Sequence, residues 1–316
     1  MTTAAGTENV ARVAAAFGLA FQHILPWEPP GSPNRALYRC VVETGDGPVI
    51  LSQIAPNMVP RKCEIANLVA SLHAGGVGQA VPYLEAVEGG HVVYIDRGWW
   101  LAQRWLHSEP LPRPSWVHDA ARGEALACFL LCLRQVTLEW RWPGQSVFRL
   151  ETWLRGLVMQ LRLHDRAVLA RIRDPLRLAQ GALLNEANLP VTWAHGDLHP
   201  LNVLWLGTQV QAVIDWEFTG PKAAPYDLAN LLGCVGVEQP SALAGEFALA
   251  LVRRLRAAHY LPATAWDALP AYVLALRLAW LSEWLRNGDS EMVALECDYL
   301  TLLLSWQQAL AEVWAR

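Results

Sequence analysis

The sequence predicts an α+β fold in which a small, β-rich N-terminal part precedes a larger, mainly helical one. Three observations carry that expectation. Short apolar runs bounded by Gly, Pro and Asp crowd the first third of the 316-residue chain. From Pro110 onward the apolar residues recur at helical spacing. A pair of apolar runs at 201–216 then interrupts the helices with strands.

Each element has its own signal. "ALYRCVVET" is cut off by "GDG" and followed by "PVILSQIA", which together read as a hairpin. "PRKCEIANLVASLHAGG" places Ile65, Leu68, Val69 and Leu72 on one helical stripe and stops at glycine. "HVVYID" and "GWWLAQRWL" are strands on either side of a turn at Asp96–Gly98. Amphipathic or buried helices are expected over 116–138, 149–180, 241–259, 264–287 and 290–315. The change of pattern divides the chain into an N-terminal lobe of residues 1–106, with a hinge at about 103–108, and a C-terminal lobe of residues 107–316 that carries the hairpin.

Composition narrows the function classes. Hydrophobic residues make up 53% and charged ones 17%, as in a compact globular protein. No apolar run reaches the roughly 18 to 20 residues of a membrane span, and the start lacks a basic n-region, so a soluble, cytoplasmic protein is expected. The net charge of −4, without a basic tract, argues against a nucleic-acid partner. Six scattered cysteines complete no zinc pattern and are expected to be buried thiols. Lys62 and Lys222 are the only lysines, so nearly all positive charge is arginine.

Against this apolar background "TWAHGDLHPLNVLW", Thr192 to Trp205, is a polar knot. "NVLWLGTQVQAVIDW" reads as a hairpin around Gly207–Thr208, and symmetric pairing about 207–210 sets Asn202 opposite Asp215 at its open end. Asp197 lies five residues ahead of Asn202, in the loop that delivers the chain to this strand. Three oxygen-bearing side chains are therefore expected to converge. Such hard ligands suit Mg²⁺, which keeps much of its water and is completed by substrate phosphates. A spare carboxylate beside such an ion can take the proton of an attacking hydroxyl. Turn capping explains one such Asp or Asn well and three convergent ones badly.

"HGDLHPLNVL" followed by "VIDWE" resembles the catalytic loop and the metal-binding aspartate of the aminoglycoside phosphotransferase/choline kinase superfamily, small-molecule kinases with a protein-kinase-like two-lobe fold. "GPKAAPYDLANLL", the hinge-like "LAQRWLHSEPL" and the loop "GSPNRALYRCVV", which contains Asn34, extend the similarity over about residues 30 to 235. The resemblance implies an ATP-dependent phosphotransferase with Asp197 as catalytic base and Asn202 and Asp215 holding Mg²⁺. It further implies that His195 braces the loop, that Asp227 ties down the segment after Asp215, and that Glu217 either supports the metal ligands from behind or itself bridges the metal. His199 stands where related kinases have a lysine, and either touches the transferring phosphoryl group or packs the loop.

The resemblance breaks at the third strand, where a lysine usually contacts the α/β-phosphates. "PVILSQIA" offers Ser52 or, with a one-residue shift, Gln53, and side chains alternate, so only one of the two can face nucleotide. Glu64, on the following helix, resembles the usual partner of that lysine. Backbone N–H groups of Gly31–Ala36, or an arginine such as Arg35 or Arg39, are the remaining phosphate ligands. Gln103 is expected as gatekeeper, with the Arg104 carbonyl and the Leu106 N–H facing adenine. The acceptor, a hydroxyl of an amino sugar, sugar, amino alcohol or aminoglycoside, is expected near Trp280 and Trp284, with Glu283, Asp289 and Glu291 close by, although a Trp pair on a helix is more often core. The lysine-free strand keeps open an alternative, a nucleotide-binding or regulatory pseudokinase without phosphotransfer.

Overall fold

A computed structural model of the chain describes residues 4–29, 36–141 and 146–315. The chain divides into two units, Met1–Glu109 with Leu201–Glu217, and Pro110–Pro200 with Phe218–Arg316.

In the first unit an antiparallel sheet runs in the order β1-β2-β3-β5-β4, formed by β1 (Phe21–Leu25), β2 (Tyr38–Thr44), β3 (Val49–Ile54), β4 (Val93–Ile95) and β5 (Gly98–Arg104). The two hairpins expected from sequence are both present, and β3 and β5 pair so that Ile50 faces Gln103 and Ser52 faces Leu101. The alternation of β3 buries Val49 and Leu51 in a core with Cys40, Val42 and Trp100. Helix α1 (Ala4–Ala16) covers that core through Val10, Val13 and Ala14. Neither α1 nor β1 was expected from sequence, because alanine-rich and mixed-polarity stretches carry no strong periodicity. Helix α2 (Val59–Ala74) opens with Pro60 in its first turn and ends at Gly75.

The hairpin of β7 (Val203–Leu206) and β8 (Gln209–Val213) groups with this unit rather than with the helical one, as the sequence pattern had suggested. The reason is a set of bonds to its neighbours. The Glu109 N–H donates to the Trp205 carbonyl at 2.8 Å, the Gly207 N–H to the Glu109 carboxylate at 3.0 Å, and the Val213 N–H to the Gln79 carbonyl at 2.9 Å.

The second unit contains α3 (Ala120–Thr137), α4 (Leu150–His164), α5 (Arg166–Arg171), α6 (Arg173–Leu183), α7 (Tyr226–Glu238), α8 (Glu246–Ala257), α9 (Ala263–Asn287) and α10 (Ser290–Trp314). A short ladder of β6 (Val191–Ala194) and β9 (Gly220–Ala223), also unforeseen, lies among them. The single helix expected over 149–180 is three helices, broken at Asp165 and Ile172, whose backbones leave the helical region. Buried residues on both sides of the breaks, Leu157 and Leu161 before and Leu176 and Ala179 after, still recur at helical intervals, so the apolar pattern does not reveal the breaks. Buried Glu186 receives the Leu150 and Glu151 N–H groups at the start of α4, each at 3.0 Å, and the Tyr272 hydroxyl at 2.6 Å. A carboxylate at a helix N-terminus is a favourable charge–dipole arrangement. No helix among the described residues is long and apolar enough to cross a membrane.

Candidate active site

The loop that carries Asp197 is fixed from below by α7. In the first turn of that helix the buried carboxylate of Asp227 accepts the His195 N–H at 2.7 Å and the Gly196 N–H at 2.9 Å. Asp227 thus holds the loop of Asp197 itself, whereas the expectation had it tying down the segment after Asp215. Burial pushes its carboxyl above the usual carboxylate range, opposed by those two N–H groups and by Lys222. The Asn230 amide, one turn on, donates to the Leu198 carbonyl at 3.0 Å. Fully buried His195 braces the loop as expected, its Nδ1 accepting the Asp197 N–H at 3.2 Å, which requires that nitrogen to be unprotonated. Gly196 has φ 86°, and a Cβ there would run into the Phe218 carbonyl, so only glycine lets the chain turn between His195 and Asp197.

His199 lies beside Asp197, its Nε2 3.9 Å from the carboxylate, and packs edge-on against Trp280 at 5.6 Å between ring centroids. Trp280 and Trp284 contact each other on α9 as their i, i+4 spacing requires. Both indole N–H groups are engaged, with Asn230 and with Glu296 respectively. Two of the acidic residues expected near an acceptor have other work. Glu283 is bonded to Arg286 and Asn287, and Asp289 caps α10 through the Met292 N–H at 3.0 Å. Glu291 is exposed in the first turn of α10.

In the first unit the hairpin brings Asn202 and Asp215 together, with one correction of register. A bulge between Leu204 and Trp205 shifts the ladder, so Val203 pairs with Val213 and the Ile214 N–H reaches the Asn202 carbonyl at 2.9 Å. Asp215 is therefore one residue beyond the position opposite Asn202. It stands in the left-handed region at φ 64°, a conformation costing a non-glycine residue roughly 1–2 kcal/mol. Asn202 is 5% exposed. An amide and a carboxylate oxygen on adjoining ends of one hairpin form a hard, anionic donor pair, the chemistry that fits Mg²⁺ completed by water and phosphate.

An open cavity of about 900 Å³, counting the solvent-filled space in its mouth, lies in the same unit, and Asp215 lines it. Ser52 lines it as well. Gln53, its neighbour in the chain, faces the other side of the sheet, where it crowds against Gly98, so the expectation for Gln53 is withdrawn. Gln103, Arg104 and Leu106, the residues expected around adenine, all border the cavity. The Arg104 guanidinium donates to the Asp46 carbonyl at 3.3 Å. Arg39, directly across the ladder from Ser52, is a second lining residue. Burial draws its guanidinium down from the usual value, and the charges of Asp215 and Tyr83 oppose that. Asn34 and Arg35 fall outside the described residues.

Sequence reasoning missed the ion pair beside this cavity. Glu64, the expected partner of a strand lysine, is exposed and bonded to Arg61 at 3.2 Å. Two positions earlier, Lys62 turns inward to line the cavity and forms an ion pair with Glu217, both side chains nearly buried at 8% and 10% exposure. The Glu217 carbonyl also takes a hydrogen bond from Arg61 at 2.9 Å. Helical spacing held the signal: Lys62 shares a stripe with Ile65, Ala66 and Val69, all buried.

Residues 34–269 match the model of the phosphotransferase enzyme family. A homoserine kinase from Rhodopseudomonas palustris is 29% identical over 188 residues, which are 57% of this chain and 56% of that protein, so the chain spans about half the length of the curated relative it matches. An aminoglycoside phosphotransferase from Alicyclobacillus acidocaldarius superposes with a TM-score of 0.65 at 18% identity, covering 95% of each chain. A microcompartment-associated aminopropanol kinase superposes with a TM-score of 0.66 at 17% identity, covering 97% of this chain and 98% of the other. An amicoumacin kinase in complex with AMP-PNP and Ca²⁺ reaches 0.66 at 13% identity, over 94% of this chain and 93% of the other.

Proposed function

The chain belongs to the phosphotransferase enzyme family, and from that premise we propose that it is a small-molecule kinase that moves the γ-phosphoryl group of ATP to a hydroxyl of a small acceptor in the cytoplasm. The observation that carries this most directly is the Asn202–Asp215 pair at the mouth of the hairpin, with Asp215 lining an open cavity. Gln103, Arg104 and Leu106 line that cavity, and we assign the reading of the adenine edge to the Arg104 carbonyl and the Leu106 N–H. Ser52 and Arg39 lie where phosphates would pass, and a guanidinium is a bidentate phosphate ligand. Bound Mg²⁺, held by Asn202 and Asp215, would neutralise charge on the β- and γ-phosphates.

Asp197 is the general base. Its carboxylate takes the proton of the acceptor hydroxyl as the new O–Pγ bond forms and the bond from Pγ to the ADP oxygen breaks. His195 and Asp227 orient it through the backbone bonds described above. His199, packed between Asp197 and Trp280, is set to contact either the transferring group or the acceptor. The names of the relatives include homoserine kinase and aminopropanol kinase. Both acceptors are amino alcohols, which favours that class, ahead of amino sugars and aminoglycosides, as the first to screen. The Asp197→Asn variant tests the base. Turnover is expected to fall by roughly 10²- to 10⁴-fold with binding of ATP–Mg²⁺ retained. Full turnover in that variant would refute the assignment.

A further inference from the structure

Strand β3 presents Ser52 to the cavity where the family places a lysine, and a serine cannot neutralise a phosphate. Yet the cavity is not short of an ammonium group. Lys62 enters it from α2, on the neighbouring element, and its partner Glu217 stands two residues beyond Asp215. The chain spends one of its two lysines there, in a position 6% exposed, although arginine carries nearly all its other positive charge. A buried lysine with no carboxylate beside it would carry a large desolvation cost, and Glu217 offsets that. An ammonium group has three N–H donors, and the bond to Glu217 uses one. The other two are available to an incoming anion.

Resting on the kinase assignment above, we infer that Lys62 is the nucleotide-phosphate ligand of this protein. The lysine is supplied by the helix and its carboxylate partner by the segment after the metal aspartate, the reverse of the strand-to-helix pairing expected from sequence. Glu217 holds Lys62 in place and, through it, couples α2 to the turn that follows Asp215. The same arrangement explains why Glu64 is free to sit at the surface with Arg61.

Titration calorimetry of the full chain with ATP–Mg²⁺ and, separately, with adenosine tests this. Lys62→Met is expected to weaken ATP–Mg²⁺ binding roughly ten- to a hundredfold and to leave adenosine affinity within about twofold. Because Lys62→Met removes the ion-pair partner of Glu217, the double variant Lys62→Met/Glu217→Gln is measured beside it. If Lys62 touches phosphate, the double variant binds ATP–Mg²⁺ as weakly as the single one. Recovery of parental ATP–Mg²⁺ affinity in the double variant would overturn the inference, because Lys62 would then serve only to neutralise Glu217. Equal losses for adenosine and ATP–Mg²⁺ would overturn it too. A parent chain that binds neither ligand would instead sink the kinase assignment itself, so the two failures are distinct.

Discussion

At the scale of single residues, backbone conformation decides the site more than side-chain identity. Gly196 and Asp215 both adopt positive φ, at 86° and 64°, and they flank the two segments that bear the proposed base and metal ligands. Glycine accepts that region freely, whereas aspartate holds it against a cost that the surrounding bonds must cover. Cys40 makes a separate prediction in the core of the first unit. Burial raises its thiol from 9.0 to about 11, opposed by a hydrogen bond with Tyr38. A group whose folded pKa is raised contributes fully below the unfolded value and loses that contribution as pH climbs through the folded one. Stability should therefore decline between pH 9 and about 11, in part through this thiol. Urea midpoints of the parent and of Cys40→Val, compared near pH 8 and near the upper end of that window, check it. The valine variant should lose less on the alkaline side, and an identical loss would rule the thiol out.

At the scale of elements, the polar knot was legible because its residues are adjacent in the chain. Asp197, His199 and Asn202 lie within six residues and Asp215 follows the second strand of the hairpin, so a hairpin rule was enough to group Asn202 with Asp215. The bulge between Leu204 and Trp205 was not legible, since Val203, Leu204 and Trp205 are all buried and a strand apolar on both faces shows no alternation that marks its register. The choice between Ser52 and Gln53 needed one known neighbour, and pairing with β5 supplied it. The Lys62–Glu217 pair joins residues 155 apart in sequence, and no local pattern reports such a pairing. The same holds for Arg277 on α9 and Glu296 on α10, which form a fully buried pair beneath Trp280, with Arg277 Nε 2.7 Å from the carboxylate. Removing one partner strands a charge in the core. Glu296→Gln should cost about 3–5 kcal/mol, and the apolar double variant Arg277→Met/Glu296→Leu should recover most of it. Thermal or urea unfolding reads both, and a single variant as stable as the parent would contradict a buried, charged pair.

At the scale of the whole molecule, the α+β character and the change from strands to helices near residue 106 were visible in the periodicity alone. The assignment of the 201–217 hairpin to the first unit was not, because it depends on bonds to Gln79 and Glu109 that sequence proximity does not suggest. Both units concentrate their buried polar groups at the segments proposed for chemistry. Asp227 and Asn230 secure the loop of Asp197 in one, while Lys62, paired with Glu217, lines the cavity of the other. The overall fold resembles kinases of several small molecules at 13–18% identity, so shape does not select the acceptor. The most direct measurement is acceptor-dependent release of ADP from ATP–Mg²⁺ by the parent chain, read over a panel of small alcohols that begins with homoserine and aminopropanol and extends to sugars and aminoglycosides. At least one acceptor is expected to raise ADP release well above the acceptor-free rate, and Asp215→Ala to abolish the increase. A parent chain that neither binds ATP–Mg²⁺ nor releases ADP with any acceptor, or an Asp215→Ala variant that turns over like the parent, would contradict that expectation.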